Sequence, residues 1–171
     1  MEQLPLFSLL LAASWLDLTT HKIPNWLTLP FILLALIYHG ILGEGWPFAL
    51  TGLVYALILL FPLFFFRLLA GGDVKLALGI GAFLGWKLFL EALLYGLVIG
   101  LPLVLVFAFY KVGWNGFKQT FMRYGYILGT KKYLAPAEGE MAGLKVPYGP
   151  ALSLGALLTV ALNHFNLFTL V

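Results

Sequence analysis

Six apolar stretches of this 171-residue chain keep charge almost entirely out, and that decides what the chain can fold into. They run roughly over 3–19, 26–42, 46–69, 74–86, 88–110 and 146–169. Crossing a bilayer takes about 20 apolar residues, or as few as about 17. Inside lipid every backbone polar group must be bonded within the protein, which for runs of this kind means helices. The expected architecture is therefore all-α: a polytopic membrane protein of six transmembrane helices, with 1–171 as a single membrane-embedded domain. The fourth stretch is short, and only Gly85-Trp86-Lys87 separates it from the fifth. Composition agrees, with 62% hydrophobic and 10% charged residues, far from the balance of a soluble domain.

Turn chemistry marks the boundaries. Pro24 disfavours helix at Ile23, and Asn25 is expected to cap the next helix. Gly43-Glu44-Gly45 breaks the chain after the second stretch. Gly71-Gly72-Asp73 is read as a helix stop followed by an N-cap aspartate. Pro62 and Pro102 lie inside apolar stretches and are expected to kink them. Gly81-x-x-x-Gly85 and Gly96-x-x-x-Gly100 suit close helix packing.

Charge orients the chain. The loops that share a side after segments one, three and five hold Lys22, Arg67, Lys75, Lys111, Lys118, Arg123, Lys131, Lys132 and Lys145. The other side holds Lys87, with Glu2, Glu44 and Glu91. Positive residues favour the cytoplasm, so the first set is expected there, in a cell inner (cytoplasmic) membrane. Within 111–145, Trp114, Phe117, Phe121 and Tyr124 recur at helical spacing with Lys118 and Arg123 among them. That pattern predicts an amphipathic helix lying in the inner interface before the last span.

Several chemistries are poorly served by this residue set. There is no cysteine, and His21, His39 and His164 form no pair at ligand spacing, so neither a metal nor another cofactor is expected. The net charge of +3 lies beside apolar spans, which fits membrane lipid better than nucleic acid. The first stretch has Glu2 where a signal peptide would be basic, and reads as a retained span.

Two acids stand out against this background. Asp17 ends the first apolar run, and Asp73 lies between the third and fourth. A carboxylate costs about 2.5–3.5 kcal/mol at the centre of a spanning helix, so acids near spans generally face a polar interior with a task. In the last turn of a helix, Asp17 opposes the macrodipole, at a cost of about 0.3–1 kcal/mol. Asp73 has a structural explanation as a helix cap. Both fall on the same predicted side, where two carboxylates on separate helices could share a proton and activate water. Lys22 and Lys75 follow the two acids closely and could anchor at the interface, steer an anion or tune the pair. Lys75 and the helix start are expected to make Asp73 the more readily ionised acid. Lys145-Val146-Pro147-Tyr148-Gly149-Pro150 opens the last stretch as a rigid segment, either a simple helix start or backbone lining a cavity.

At these residues the chain resembles the prepilin peptidases, the type IV leader peptidase family of GxGD aspartic proteases. Asp17 with Lys22-Ile23-Pro24-Asn25-Trp26-Leu27-Thr28 is similar to the family's first aspartate and the turn after it. Gly71-Gly72-Asp73-Val74-Lys75-Leu76 is similar to its GxGD-x-K element, with Ala70 where the family has its first glycine. Val146-Pro147-Tyr148-Gly149-Pro150-Ala151 with Gly155 resembles the start of its last helix. The resemblance implies a membrane-embedded peptidase domain with Asp17 and Asp73 as the catalytic pair. Gly71, Gly72, Lys75, Pro147, Tyr148, Gly149 and Pro150 would support it. It also implies prepilin, pseudopilin or preflagellin precursors as partners, cut at the cytoplasmic face after a short basic leader. The cysteine-bearing insertion of the long, N-methylating forms is missing, so the chain is similar to the short form. Two other readings use the same residues. A proton-coupled transporter or carrier subunit would relay protons through the acids, but no internal repeat is present to support one. A non-catalytic membrane scaffold would tolerate loss of either acid.

Overall fold

The structure, a computed structural model, describes residues 3–20, 22–65, 69–130, 134–135 and 148–165. These form five helices: α1 (Gln3–Thr20), α2 (Asn25–Ile41), α3 (Trp46–Phe65), α4 (Gly71–Thr130) and α5 (Gly149–His164). No strand occurs among the described residues. Of these helices, α3 and α4 are each long and apolar enough to cross a membrane. The chain divides into one unit of 1–100 with 147–171, and a second of 101–146.

In the first unit, α1 packs against α5 and α2, and α2 against α3. Its core follows from helical periodicity. Leu6, Leu9, Leu10 and Ala13 of α1 are buried, at spacings that repeat one helix face. Leu76, Ala77, Ile80 and Phe83 form the matching stripe of α4. Away from the core, Leu29, Leu33 and Ile37 of α2 and Ile58, Phe61 and Phe65 of α3 stay exposed. A fold in water would cover so much apolar surface, whereas one in lipid leaves it outward. This is a membrane protein.

A straight helix of 60 residues would be about 90 Å long, three times the apolar thickness of a bilayer. α4 is not straight. Gly85 has φ +70°, a left-handed conformation that stops a right-handed helix. The neighbours on either side show that the chain reverses there. Side chains added at Gly71, Gly81 and Gly85 would meet Phe64, Ala56 and Phe48, so 71–84 runs antiparallel to α3. A side chain at Gly79 would touch Leu9, while Asp73 lies near Asp17, so 71–84 is antiparallel to α1 as well. Gly149 bonds Asp17 and Ser153 bonds Leu10, which makes α5 antiparallel to α1 and hence parallel to 71–84. Gly155 lies against Ala92, and Gly100 against Ala151, so α5 is antiparallel to 86–100. The arms 71–84 and 86–100 are therefore antiparallel. The weak separator Gly85-Trp86-Lys87 is a reversal. His39 secures this end: its Nε2–H donates to the Phe83 carbonyl at 3.0 Å.

Two capping expectations are corrected. Asn25 is the first residue of α2 and makes no cap; Pro24 holds the N-cap position without a side-chain bond. Gly71 and Gly72 do not end a helix but begin α4, with Asp73 third in its first turn rather than at the N-cap. Gly43–Gly45 is a turn as expected, with Gly45 at φ +92°.

In the second unit, Gly113 has φ +63° and separates 114–130 from the helix before it. Trp114, Phe117, Phe121, Tyr124 and Leu128 are all exposed at alternating three- and four-residue steps, which is one face. Lys118 is exposed beside that stripe. Arg123, expected to be a surface charge, is instead buried: its Nη1 donates to the Leu134 carbonyl at 2.8 Å.

Candidate active site

The stripe that makes α1 a core helix continues to Asp17. Counting 6, 10, 13, 17 keeps to one helix face, so the acid points inward where a leucine would otherwise sit. Asp73 stands in the same relation to its own stripe at 76, 77 and 80. Because α1 and 71–84 run antiparallel, the late acid of one and the early acid of the other fall at the same end of the core. Asp17 is 5% exposed and Asp73 3%, and they lie within electrostatic reach of each other.

Each carboxylate has one oxygen on a backbone N–H. Asp17 Oδ2 accepts from Gly149 N–H at 2.9 Å, across 132 residues of chain. Asp73 Oδ2 accepts from Ala70 N–H at 3.3 Å. Ala70 is where an N-cap residue would stand, so Asp73 makes the return half of a capping box. This is the structural part of Asp73, and only one of its oxygens is needed for it.

The turn after α1 closes the site from below. Ile23 is buried, and a side chain on Gly72 would come within 3.2 Å of its Cβ and backbone nitrogen. Gly72 is thus small because the Ile23-Pro24-Asn25 turn packs on it. Gly71 leaves more room, with Phe64 the nearest neighbour at 3.4 Å. Asn25 reaches across to the same end of α4, where its Oδ1 accepts from Lys75 Nζ at 2.6 Å. The Lys75 ammonium is held by Asn25, and what faces Asp73 is a second carboxylate. Of the proline-rich segment, Gly149 and Pro150 are buried in the first turn of α5, and Tyr148 precedes them with helical φ and ψ, −86° and −16°. Pro147 lies outside the described residues.

Asp17, Asp73, Gly72, Gly149 and Pro150 are therefore gathered at one end of the bundle, with Lys75 and Asn25 paired at its exposed edge. Sequence reasoning missed the part of Asn25, whose role was sought in capping and lies in holding Lys75. The signal was its place in the turn that also carries Ile23. Chemically, two buried carboxylates on separate helices can do general acid and general base work on one bond.

Residues 4–117, two-thirds of the chain, match the model of the type IV leader peptidase family, and the chain belongs to that family. No curated protein and no solved structure matches.

Proposed function

We propose that this member of the type IV leader peptidase family is an aspartic endopeptidase whose catalytic pair is Asp17 and Asp73. It removes the short basic leader of prepilin-like or preflagellin-like precursors at the cytoplasmic face of the inner membrane. One observation carries the reading: antiparallel helices bring two inward-facing acids, 56 positions apart in the chain, to one buried place.

The chemistry needs one ionised and one protonated carboxyl group, which neighbouring acids adopt by sharing a proton. The ionised group takes a proton from water as the water oxygen attacks the scissile carbonyl carbon. The protonated group gives its proton to the carbonyl oxygen, and a tetrahedral diol forms. When the C–N bond breaks, one diol hydroxyl gives its proton to the ionised carboxylate, and the carboxyl group that took the water proton gives it to the leaving nitrogen. The pair ends as it began. The two acids act as a coupled unit, with no fixed assignment of acid and base.

The chain is read as crossing the membrane six times, through α1, α2, α3, the two arms of α4 on either side of Gly85, and α5. The arm 114–130 is read as lying in the inner interface, its aromatic stripe among acyl chains and Lys118 at the headgroups. The basic loops then share the cytoplasmic side with both acids, where a precursor's leader would be.

Co-expression with a prepilin tests this. Processing to the mature pilin is expected with the natural chain and absent with either Asp→Asn variant. Normal processing by an Asp→Asn variant at equal expression would remove the reading. A proton-relay protein would leave the precursor uncut in every case.

A further inference from the structure

We propose, resting on the peptidase reading above, that Gly149 is a positioning residue for catalysis. Its N–H fixes one oxygen of Asp17, and its missing side chain is the space that the carboxylate occupies.

Two separate observations meet at this residue. The first is the bond from Gly149 N–H to Asp17 Oδ2, 2.9 Å long and buried. Gly149 opens α5, so this N–H is one of the donors that a helix leaves unpaired at its start. It bonds a carboxylate at the end of α1, where the carbonyls of α1 repel negative charge. The start of α5 thus supplies a compensating donor.

The second observation is steric. A Cβ on Gly149 would stand 2.6 Å from Asp17 Oδ2 and 3.1 Å from both its Cβ and its Cγ. No side chain fits while Asp17 keeps its place. Gly149 has no positive φ, so conformational freedom does not explain the glycine. The neighbouring small residue of α5, Gly155, has a different reason: its surroundings are the backbone of Ala92 and Gly96. One glycine is small for helix packing, the other for the acid. With Oδ2 held on the N–H, the carboxylate is oriented, and the rotation that would carry it away from Asp73 is restrained.

Gly149→Ala tests this with a purified prepilin whose basic leader ends in glycine. The variant keeps the N–H but displaces the carboxylate. The expected result is a fall in kcat of about 100-fold with KM changed by less than about threefold, the pattern of a misplaced reacting group. The infrared band of the Asp17 carboxyl, identified by its loss in Asp17→Asn, is expected to shift in Gly149→Ala. It is expected to stay put in Gly155→Ala, which should lower thermal stability instead. A Gly149→Ala enzyme with kcat within about threefold of normal and an unmoved band overturns the proposal. If that enzyme is active while Asp17→Asn is dead, the peptidase reading stands and only the positioning role falls. If Asp17→Asn itself cleaves normally, the peptidase reading falls. Should Gly149→Ala fail to fold, adding Asp17→Ala removes the carboxyl atoms, Oδ2 at 2.6 Å foremost, and should restore recovery of the protein. If it does not, the side chain meets something other than the acid, and the proposal is wrong.

Discussion

Asp17 and Asp73 interrupt two otherwise apolar helix faces, and the fold tolerates them because each has a backbone donor. A buried carboxylate without one would be costly. Asn is close in shape and can accept the same N–H, but it cannot serve as an acid or base. Asp17→Asn and Asp73→Asn are each expected to lower prepilin cleavage by at least about 100-fold, judged from what general acid–base groups contribute. Both should still be recovered from membranes in normal amount. Pulse-labelled processing, with immunoblots for enzyme level, measures the two effects together. Asn25→Ala has a different expected outcome. It releases Lys75 at the exposed edge of the site, so stability should fall by no more than about 1.5 kcal/mol, the worth of one hydrogen bond. Unfolding in mixed micelles with increasing SDS reads this directly.

Among the elements, α4 carries the most structural information. Its left-handed glycines differ in their surroundings. A side chain at Gly85 would meet the Phe48 ring, whereas nothing lies within 4 Å of one at Gly113. Gly113→Ala is therefore expected to cost only the left-handed backbone penalty of about 1–2 kcal/mol. Gly85→Ala should cost more, because Phe48 has to move as well. The same SDS titration compares the two, and equal losses would count against the packing of the reversal. Pairing of Gly81 with α3 and of Gly96 with α5 is the close approach that the two GxxxG spacings announced.

For the whole molecule, the charge distribution makes the clearest prediction. The chain has no cysteine, so single introduced cysteines report cleanly on sidedness. Thr20→Cys and Gly129→Cys are expected to resist an impermeant thiol reagent in intact cells and to react after lysis. Glu44→Cys, in the exposed turn between α2 and α3, should react without lysis. Labelling of Thr20→Cys and Gly129→Cys from outside would invert the proposed topology. Chelator should leave prepilin cleavage by solubilised protein unchanged. Loss of activity with EDTA, restored by zinc, would count against hydrolysis by carboxylates alone.

Much of this was legible in the residues themselves, because the relevant physics is local. Apolar length anticipated the helices, and acids at the ends of otherwise uncharged runs singled out Asp17 and Asp73, whose place on buried stripes the packing then revealed. Glycine chemistry marked the turn at 43–45 and the weak point at 85. The capping assignments failed, because a cap depends on which backbone groups lie near, and those are chosen by packing. Asp73 therefore bonds back to Ala70 from inside its helix, and Asn25 holds Lys75, 50 residues away. Asp17 shows the division most plainly. Its sequence position sets it against the dipole of its own helix. Antiparallel packing brings the first N–H of α5 to that carboxylate. A donor 132 residues distant leaves no mark in local sequence, and only the tertiary structure could decide that it would be there.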